Sequence, residues 1–250
     1  MKFTYQVVFA VISALSVCLT TQAAMVPSNI LQRVFNVKIG TSSGTAFTIE
    51  VEGRQYLVTA KHVIAASPAS TAIEVFRNNK WIKMPYRLIN VEPKTVDIAV
   101  LAVDRKLSPL LPIQTGIKGA YLSQQVFFAG FPFGLSIDGR RLNSGFPLPL
   151  VKHGIISSFE NNRGEPFIVD AISNPGFSGG PVVIAENRTN PTIIGVVSGY
   201  RFDEERVYYL GKEVKDLSVR PNTGLLIAFS IDYAIDAIKR NPIGFRVSAP

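Results

Sequence analysis

The sequence predicts an all-β protein in which antiparallel strands close into two barrels, with one α-helix near the C-terminus. Three observations support this fold class. Several short segments alternate apolar and polar residues between turn residues, a pattern that indicates antiparallel hairpins. Other runs of strand length are apolar throughout, as expected of strands that are buried on both faces in a barrel. One proline-containing segment near the middle breaks both patterns and separates two barrels.

The predicted strands follow one another closely along the chain. Alternating apolar residues occur at Phe35, Val37 and Ile39, at Phe47, Ile49 and Val51 before Gly53, and at Ile73 and Val75 before Asn78-Asn79. Continuous apolar runs cover residues 98–103, 126–129 and 192–197. Residues 106–112 fit neither pattern. They divide a first barrel at about residues 30–105 from a second barrel at about residues 118–229.

A helix is predicted at about residues 231–240. Ser230 and Asp232 provide its start, and Ile231, Ile235 and Ile238 lie on one face at helical spacing. Lys239-Arg240 and then Asn241-Pro242 mark its end. We expect the helix to pack on the second barrel.

Residues 176–181, with the sequence GFSGGP, form the most informative turn of the chain. Glycines permit positive φ angles and close approach of a substrate, and the flanking prolines, Pro175 and Pro181, stiffen the turn. Such a turn presents Ser178 as a nucleophile and directs backbone N–H groups at a reacting carbonyl. The turn therefore predicts nucleophilic catalysis by Ser178.

A serine hydroxyl needs a neighbouring imidazole, itself oriented by a carboxylate, to act as a nucleophile at neutral pH. The chain has two histidines. His62 follows the apolar strand-like segment 56–60, and Asp97 begins an otherwise apolar run. A carboxylate in such a run needs a partner if it is buried. We therefore expect His62, Asp97 and Ser178 to form a catalytic triad.

One alternative is the nucleophile elbow of α/β-hydrolases, which residues 176–180 also fit. In those enzymes the histidine follows the serine, whereas both histidines here precede Ser178. A second match at residues 40–44 has His153 downstream, but the strand-like segment 46–51 follows it where an elbow requires a helix. Chain order and context therefore exclude the esterase interpretation.

The three segments, in the order His, Asp and Ser, resemble the trypsin-like serine proteases. Within that group, the wording of the matching segments is most similar to the HtrA-like secreted bacterial branch. The matching pieces are residues 44–47, 58–63, 97–101, 130–134, 154–157, 170–181 and 194–198. The resemblance implies two six-stranded antiparallel β-barrels of the chymotrypsin/trypsin type with a C-terminal helix, all within residues 24–250. The tail after the helix is too short for the PDZ domain that many HtrA-like proteins carry, so we expect the branch without it.

The resemblance also implies roles for individual residues. The backbone N–H groups of Gly176 and Ser178 would form the oxyanion hole. Ser198 would steady the carboxylate of Asp97. The resemblance also implies that Ser198, Gly199 and Tyr200 form a strand that pairs with the substrate backbone. In the pocket for the side chain before the cut, Ile172 would form the floor and Tyr200 one wall. This pocket predicts cleavage after small or aliphatic residues.

Two further residues, Phe177 and His153, are not expected to take part in catalysis. Phe177 replaces the aspartate that digestive relatives use to bind a newly cut N-terminus, so that mode of activation is absent. His153 is expected to be structural or exposed. The alternative to an endopeptidase is a protease-fold binding or adhesive protein with little or no activity, but the complete set of triad and glycine residues favours the enzyme.

The N-terminus resembles an export signal, with Lys2, an apolar stretch at about residues 7–19 and an expected cut after Ala23. We therefore expect a secreted or periplasmic protein without a stable membrane anchor after cleavage. Removal of the signal takes away Cys18, the single cysteine, and lowers the formal charge from +8 by one. No basic and aromatic motif supports nucleic-acid binding. The expected partners are protein or peptide substrates, with neither a cofactor nor a metal.

Overall fold

The computed structural model describes residues 26–65, 67, 70–185 and 191–247. The predicted signal peptide lies outside this range. Two closed antiparallel barrels of six strands each dominate the fold, as predicted. Within the described ranges, no helix is both long and apolar enough to cross a lipid bilayer.

The first barrel closes through the pairing of its third and sixth strands. Its strands are β1 (Val34–Ile39), β2 (Ser42–Val51), β3 (Arg54–Thr59), β4 (Ala72–Arg77), β5 (Lys80–Ile89) and β6 (Ala99–Val103). Asn78 and Asn79 both adopt positive φ angles, 49° and 61°, in the tight turn between β4 and β5. This conformation is typical of two-residue hairpin turns and confirms the hairpin predicted there.

The second barrel follows a short strand, β7 (Gln114–Thr115), which pairs in parallel with β12. Its six strands are β8 (Gln125–Gly130), β9 (Leu150–Ser158), β10 (Phe167–Asp170), β11 (Pro181–Ile184), β12 (Thr192–Phe202) and β15 (Asn222–Ser230). The barrel closes where β11 pairs with β12. The predicted continuous apolar runs therefore form β6, β8 and β12.

A two-stranded ribbon, β13 (Glu205–Tyr209) and β14 (Lys212–Val219), extends beyond β12 and β15. None of its residues belongs to a hydrophobic core cluster of the described chain. Its tip is apolar and exposed at Tyr208, Tyr209 and Leu210. The sequence analysis did not predict this ribbon.

The helical segments are short except at the end of the chain. They are α1 (Ser28–Leu31), α2 (Lys61–Ala65) and α3 (Asp232–Arg240), with a 3₁₀ turn at Pro132–Gly134. The Ser230 hydroxyl accepts a hydrogen bond from the Asp232 N–H (3.2 Å), which supports the predicted start of the C-terminal helix.

The expectation that α3 packs on the second barrel is incomplete, because the helix contacts both barrels. The strands that it contacts most are β2 and β6 of the first barrel, while the Tyr233 hydroxyl accepts the Gly164 N–H of the second (2.6 Å). Ala234, Ala237 and Ile238 are buried there in a core cluster that also contains residues of the second barrel. After α3 the chain adds a last strand, β16 (Phe245–Arg246), to the edge of β3. The end of the chain therefore returns to the first barrel.

Two segments hold the barrels together in addition to α3. The connection between β6 and β7 is held by the Gln55 side chain, which accepts the Leu107 N–H (2.7 Å), and by the buried Arg33, which donates to the Leu111 carbonyl. A loop between the 3₁₀ turn and β9 inserts Phe146 into the first barrel, where its ring meets Phe35 edge-on with centroids 4.8 Å apart. Both the connection and the loop therefore contact the first barrel.

Candidate active site

His62 and Asp97 come from the first barrel. His62 lies on α2, directly after β3, and Asp97 precedes β6, which pairs with β3. The Asp97 carboxylate accepts the His62 backbone N–H on Oδ1 (2.9 Å) and lies 2.7 Å from the His62 Nδ1 with Oδ2. Two contacts to one carboxylate fix both the backbone and the ring of His62.

Ser198 on β12 makes the third contact with this carboxylate. Its hydroxyl donates to Asp97 Oδ2 at 2.6 Å. Burial alone would raise the pKa of Asp97, but the hydrogen bonds from His62 and Ser198, with the charge of His62, outweigh burial and lower it. Asp97 is therefore held ionised, as a carboxylate that orients an imidazole must be.

The turn that carries Ser178 depends on glycine at two positions. Gly176 and Gly179 have φ angles of +104° and +85°. A Cβ at Gly179 would lie 2.1 Å from the Thr45 carbonyl oxygen, and one at Gly176 would lie 2.3 Å from the Phe131 carbonyl oxygen. Any larger residue would therefore both strain the backbone and push the turn away from its neighbours.

Phe177 anchors this turn from below. The side chain is fully buried and its ring meets Phe128 edge-on, with centroids 4.9 Å apart. Where the resemblance implies that digestive relatives use an aspartate, this chain uses apolar burial. The turn is thus held by packing in the second barrel.

The backbone N–H groups of the turn fall into two sets. Those of Phe177, Gly179 and Gly180 donate to carbonyls of the protein. Those of Gly176 and Ser178 have no acceptor among the described residues. The carbonyl of Pro175 accepts the Phe133 N–H (2.9 Å). Because carbonyl and N–H point in opposite directions across a trans peptide, this bond turns the Gly176 N–H away from Phe133.

The Ser178 hydroxyl donates to the Ser198 carbonyl at 3.0 Å. Within the described chain it forms no hydrogen bond with the His62 ring. Ser198 therefore links Ser178 to Asp97: the Ser198 carbonyl accepts the Ser178 hydroxyl, and the Ser198 hydroxyl donates to Asp97. Asp97 in turn holds His62. The structure brings the three predicted residues into one hydrogen-bonded chain, with the Ser178 hydroxyl turned towards Ser198.

Thr45 on β2 is a positioning residue to which the sequence analysis gave no role. Its buried hydroxyl donates to the Gly176 carbonyl (2.7 Å) and accepts the Phe131 N–H (3.1 Å), and its own N–H donates to the Ser178 carbonyl (2.8 Å). A first-barrel strand thereby holds a second-barrel turn. A buried threonine directly after Gly44, within a matched segment, was the available signal.

We expect Thr45→Val to lower kcat by about 10- to 100-fold, because two buried polar groups lose their partner and the Gly176 peptide is freed. Thr45→Ser keeps the hydroxyl and should retain most activity. Thr48→Val is the matched control, since Thr48 is buried on the same strand but bonds the Ser108 hydroxyl instead. Steady-state kinetics on a peptide substrate give the comparison. Equal losses in the Thr45 and Thr48 valine variants would contradict a positioning role.

The predicted substrate-binding strand lies beside the turn. From Ser198 to Tyr200, β12 pairs only with β15, so no strand of the described chain pairs with its other edge, and the Ser198 carbonyl accepts the Ser178 hydroxyl. Ser198, Gly199 and Tyr200 are each half-buried. An added Cβ at Gly199 would meet no atom within 4 Å, so this part of the strand is open. An extended chain can approach this edge.

The prediction that Ile172 forms the pocket floor does not agree with the structure. The Ile172 side chain is 57% exposed, whereas the next residue, Ser173, is 1% exposed. Counting back from Ser178 places the floor one residue too early, and neighbouring residues of an extended segment point to opposite faces. The Ser173 hydroxyl has no hydrogen-bond partner in the described chain.

Lys152 lies beside this segment. Its ammonium donates to the Ile172 carbonyl and to Asn174 Oδ1 (3.3 Å), and burial lowers the pKa of Lys152.

The second histidine is not part of this arrangement. His153 is exposed on β9, and its nearest ring neighbour is Phe127, at a centroid distance of 6.4 Å. No group of three or more histidine, cysteine or acidic side chains suited to a metal occurs in the part of the chain that the structure describes.

Comparison with known proteins identifies the family and the fold. Residues 44–196, more than half of the chain, match the trypsin-like peptidase domain family. No curated protein sequence matches the chain significantly. Among solved structures, the HtrA-type protease AlgW with a tripeptide is 24% identical, with a TM-score of 0.55, over 86% of this chain and 62% of that one. A serine-to-alanine variant of AlgW gives the same values.

An inactive form of Rv3671c from M. tuberculosis H37Rv, a serine-to-alanine mutant, is 19% identical, with a TM-score of 0.52 over 85% of this chain and 88% of that one. At these identities the likeness concerns the fold, and this chain spans 62% of the length of AlgW. The family match runs from β2 of the first barrel to β12 of the second, and the fold agrees with it. The chain therefore belongs to the trypsin-like peptidase family.

Proposed function

We propose that the protein is a secreted or periplasmic serine endopeptidase that cleaves protein or peptide substrates through a covalent acyl-enzyme. The observation that carries the proposal is the Asp97 carboxylate, which is bonded at once by His62 and Ser198, while Ser198 also holds the hydroxyl of Ser178. The export signal suggested by the first 23 residues supports the location.

In the proposed reaction, rotation about the Cα–Cβ bond of Ser178 carries its hydroxyl from the Ser198 carbonyl to the His62 Nε2. Catalytic hydrogen bonds are often long or absent before substrate binds. His62 then takes the hydroxyl proton as Oγ attacks the scissile carbonyl, and Asp97 stabilises the imidazolium. The N–H groups of Gly176 and Ser178 would receive the oxyanion, because both lack an acceptor in the described chain.

Collapse of this intermediate breaks the peptide C–N bond, and His62 gives its proton to the leaving amine. The acyl group remains on Ser178. Water then enters, His62 removes one of its protons, and the same oxyanion contacts stabilise the second intermediate. Collapse of the second intermediate breaks the bond between the acyl carbon and Oγ, His62 returns its proton to Oγ, and the acid leaves, so the steps balance without a metal or a redox partner.

A binding protein of the same fold is the second candidate. It is favoured by one observation, the hydrogen bond of Ser178 to the Ser198 carbonyl instead of to His62. Labelling with an active-site serine phosphonate separates the two. We expect the mature protein to form a covalent adduct at Ser178 that mass spectrometry locates, with none in Ser178→Ala. Absence of the adduct, with folding intact, would favour the binding protein.

The proposed substrate preference is for small or aliphatic residues before the cut. Residues 172–175, Ile-Ser-Asn-Pro, carry no carboxylate for a basic side chain, and the Lys152 ammonium lies beside them. A lysine or arginine would be buried without a partner at a cost of several kcal/mol. Tyr200, half-buried on the substrate strand, would narrow the entrance for large rings.

Cleavage of a peptide library, analysed by mass spectrometry, is expected to occur mainly after Val, Ala, Ile or Leu. Tyr200→Gly should extend cleavage to Phe and Tyr. Tyr208→Gly, at the exposed tip of the ribbon, is the matched control and should leave the profile unchanged. Predominant cleavage after Arg, Lys or Glu would contradict the proposed pocket without affecting the assignment of Ser178.

A further inference from the structure

The ribbon of β13 and β14 continues the hairpin that carries the predicted substrate strand. β12 pairs with β15 as far as Phe202, and β13 pairs with β14 from Glu205 onward. Between these pairings the Asp203 N–H donates to the Pro221 carbonyl (3.2 Å). β13 therefore extends β12, and β14 leads into β15. Because β14 and β15 lie on the same side, the other edge of β13 continues the edge of β12 at residues 198–200.

The two outer edges of the ribbon differ. β14 carries Lys212 and Lys215, and Asp216 interrupts it with a φ angle of +61°. Lysines and irregular residues keep an edge strand from pairing with another chain. β13 has neither a lysine nor a positive φ angle, and within the described chain it pairs with β14 alone. The edge that continues the substrate strand is thus the edge that is left open to pairing.

β13 offers apolar side chains to a strand that pairs with it. Successive residues of a strand point to opposite faces, so Val207 and Tyr209 share one face and Tyr208 lies on the other. Both tyrosines are exposed, and Val207 is half-buried. A two-stranded ribbon gains little stability by itself, whereas a third strand adds backbone hydrogen bonds and cross-strand contacts. The ribbon is therefore suited to receive one further strand.

We propose that the ribbon extends the substrate-binding edge and pairs with substrate residues that lie far before the cut. This inference rests on the proposed function, because it requires a substrate whose residues before the cut lie along β12 from Ser198 to Tyr200. The chain then runs antiparallel to β12, passes Phe202 and reaches β13. One residue faces one residue in an antiparallel pair, so Val207 and Tyr209 meet positions about ten to twelve residues before the cut.

The substrate class that follows is a protein with an extended or unfolded segment of about twelve residues before the cut, apolar at its far end. Main-chain hydrogen bonds to β13 supply the affinity, and Val207 and Tyr209 favour apolar side chains. The residue directly before the cut does not reach the ribbon, so its pocket is independent of this contact.

Peptides that share one cleavage sequence and carry six, nine or twelve residues before the cut test the proposal with the full mature chain. We expect kcat/KM to rise about tenfold or more between the six- and twelve-residue peptides. The same residues added after the cut should not produce this rise. N-methylation of the backbone amides of the tenth to twelfth residues should abolish it, because these amides can then no longer donate hydrogen bonds.

Two variants locate the contact. Val207→Lys puts on β13 the kind of residue that protects an edge, and it should bring the ratio of kcat/KM for the twelve- and six-residue peptides close to one. Val214→Lys is the matched control, since Val214 is also half-buried but lies on β14, and this variant should keep the wild-type ratio. Thermal unfolding of both variants verifies that they are folded.

The outcomes separate this inference from the proposed function. Cleavage of the six-residue peptide with a gain of less than about threefold for the twelve-residue peptide would overturn the inference and leave the proposed function intact. An equal gain with the N-methylated peptide, or equal losses in both variants, would also overturn it. Failure to cleave any peptide would overturn both. A dimer in sedimentation experiments that Val207→Lys dissociates would assign the edge to a second copy of the chain instead.

Discussion

Ser178→Ala is expected to lower kcat by about 10⁴-fold or more while the protein remains folded. The substitution removes a hydroxyl that donates to the Ser198 carbonyl. Because Ser178 is only half-buried and loses a single oxygen, the loss leaves no large cavity in the core. The nucleophile, in contrast, is lost completely. Initial rates on a peptide substrate and thermal unfolding of both proteins provide the measurement.

The matched control is Ser173→Ala. Ser173 lies in the same segment and is more deeply buried, but its hydroxyl makes no hydrogen bond within the described chain. That variant should keep activity within about threefold and should unfold at a similar temperature. If Ser178→Ala retained a tenth of the wild-type activity, Ser178 would not be the nucleophile.

Asp97→Asn is expected to have the second largest effect, a loss of about 10⁴-fold in kcat near neutral pH. Asp97 Oδ1 accepts the His62 backbone N–H, and Oδ2 accepts the Ser198 hydroxyl and faces His62 Nδ1. In the variant an NH₂ group takes the place of Oδ2. His62 Nδ1 would then have to accept, which leaves the proton on Nε2 and prevents Nε2 from taking the proton of Ser178.

The same carboxylate gives a pH dependence of stability. The pKa of Asp97 is lowered from its ordinary value of 3.8 by His62 and Ser198 against the opposing effect of burial. Its stabilisation is therefore fully present above the unfolded value and disappears as the pH falls through the lowered folded value. Urea unfolding at neutral pH and at about pH 3 should show a difference between wild type and Asp97→Asn that shrinks in acid. A difference that grows in acid would contradict the sign of the shift.

Much of the barrel architecture was predictable because burial in a barrel leaves a direct trace in the sequence. Alternating apolar residues at Phe47, Ile49 and Val51 correspond to one buried face of β2, and Asn78-Asn79 mark a turn that requires positive φ angles. The ribbon of β13 and β14 left no such trace. Its residues are mostly exposed on both faces, so no apolar period distinguishes it from a loop.

The sequence predicted which residues form the candidate site, but not how their side chains are oriented. Short segments around His62, Asp97 and Ser178 carry the chemistry, so these residues could be found from the sequence. The direction of the Ser178 hydroxyl could not, because a serine rotamer depends on neighbours that the local sequence does not specify. The prediction that Ile172 forms the pocket floor failed because neighbouring residues of an extended segment point to opposite sides. A difference of one position in the alignment with relatives is enough to exchange the exposed Ile172 for the buried Ser173.

The amphipathic pattern of α3 predicted a buried face but could not identify the surface that covers it. The helix leaves the second barrel and crosses to β2 and β6 of the first, and β16 then pairs with β3. Periodicity reports which side of a helix is apolar, whereas the partner is decided by the path of the chain between distant elements. The core cluster shared by both barrels is the physical reason for that path.

This path of the C-terminal segment makes the two halves of the protein interdependent. Two elements that contact the first barrel, α3 and β16, follow the whole second barrel in the sequence. We therefore expect the half that carries His62 and Asp97 to unfold together with the half that carries Ser178, because residues of α3 and of both barrels share one core cluster. A chain that lacks residues 232–247 would keep His62, Asp97 and Ser178 but lose the contacts through which this segment joins the two halves.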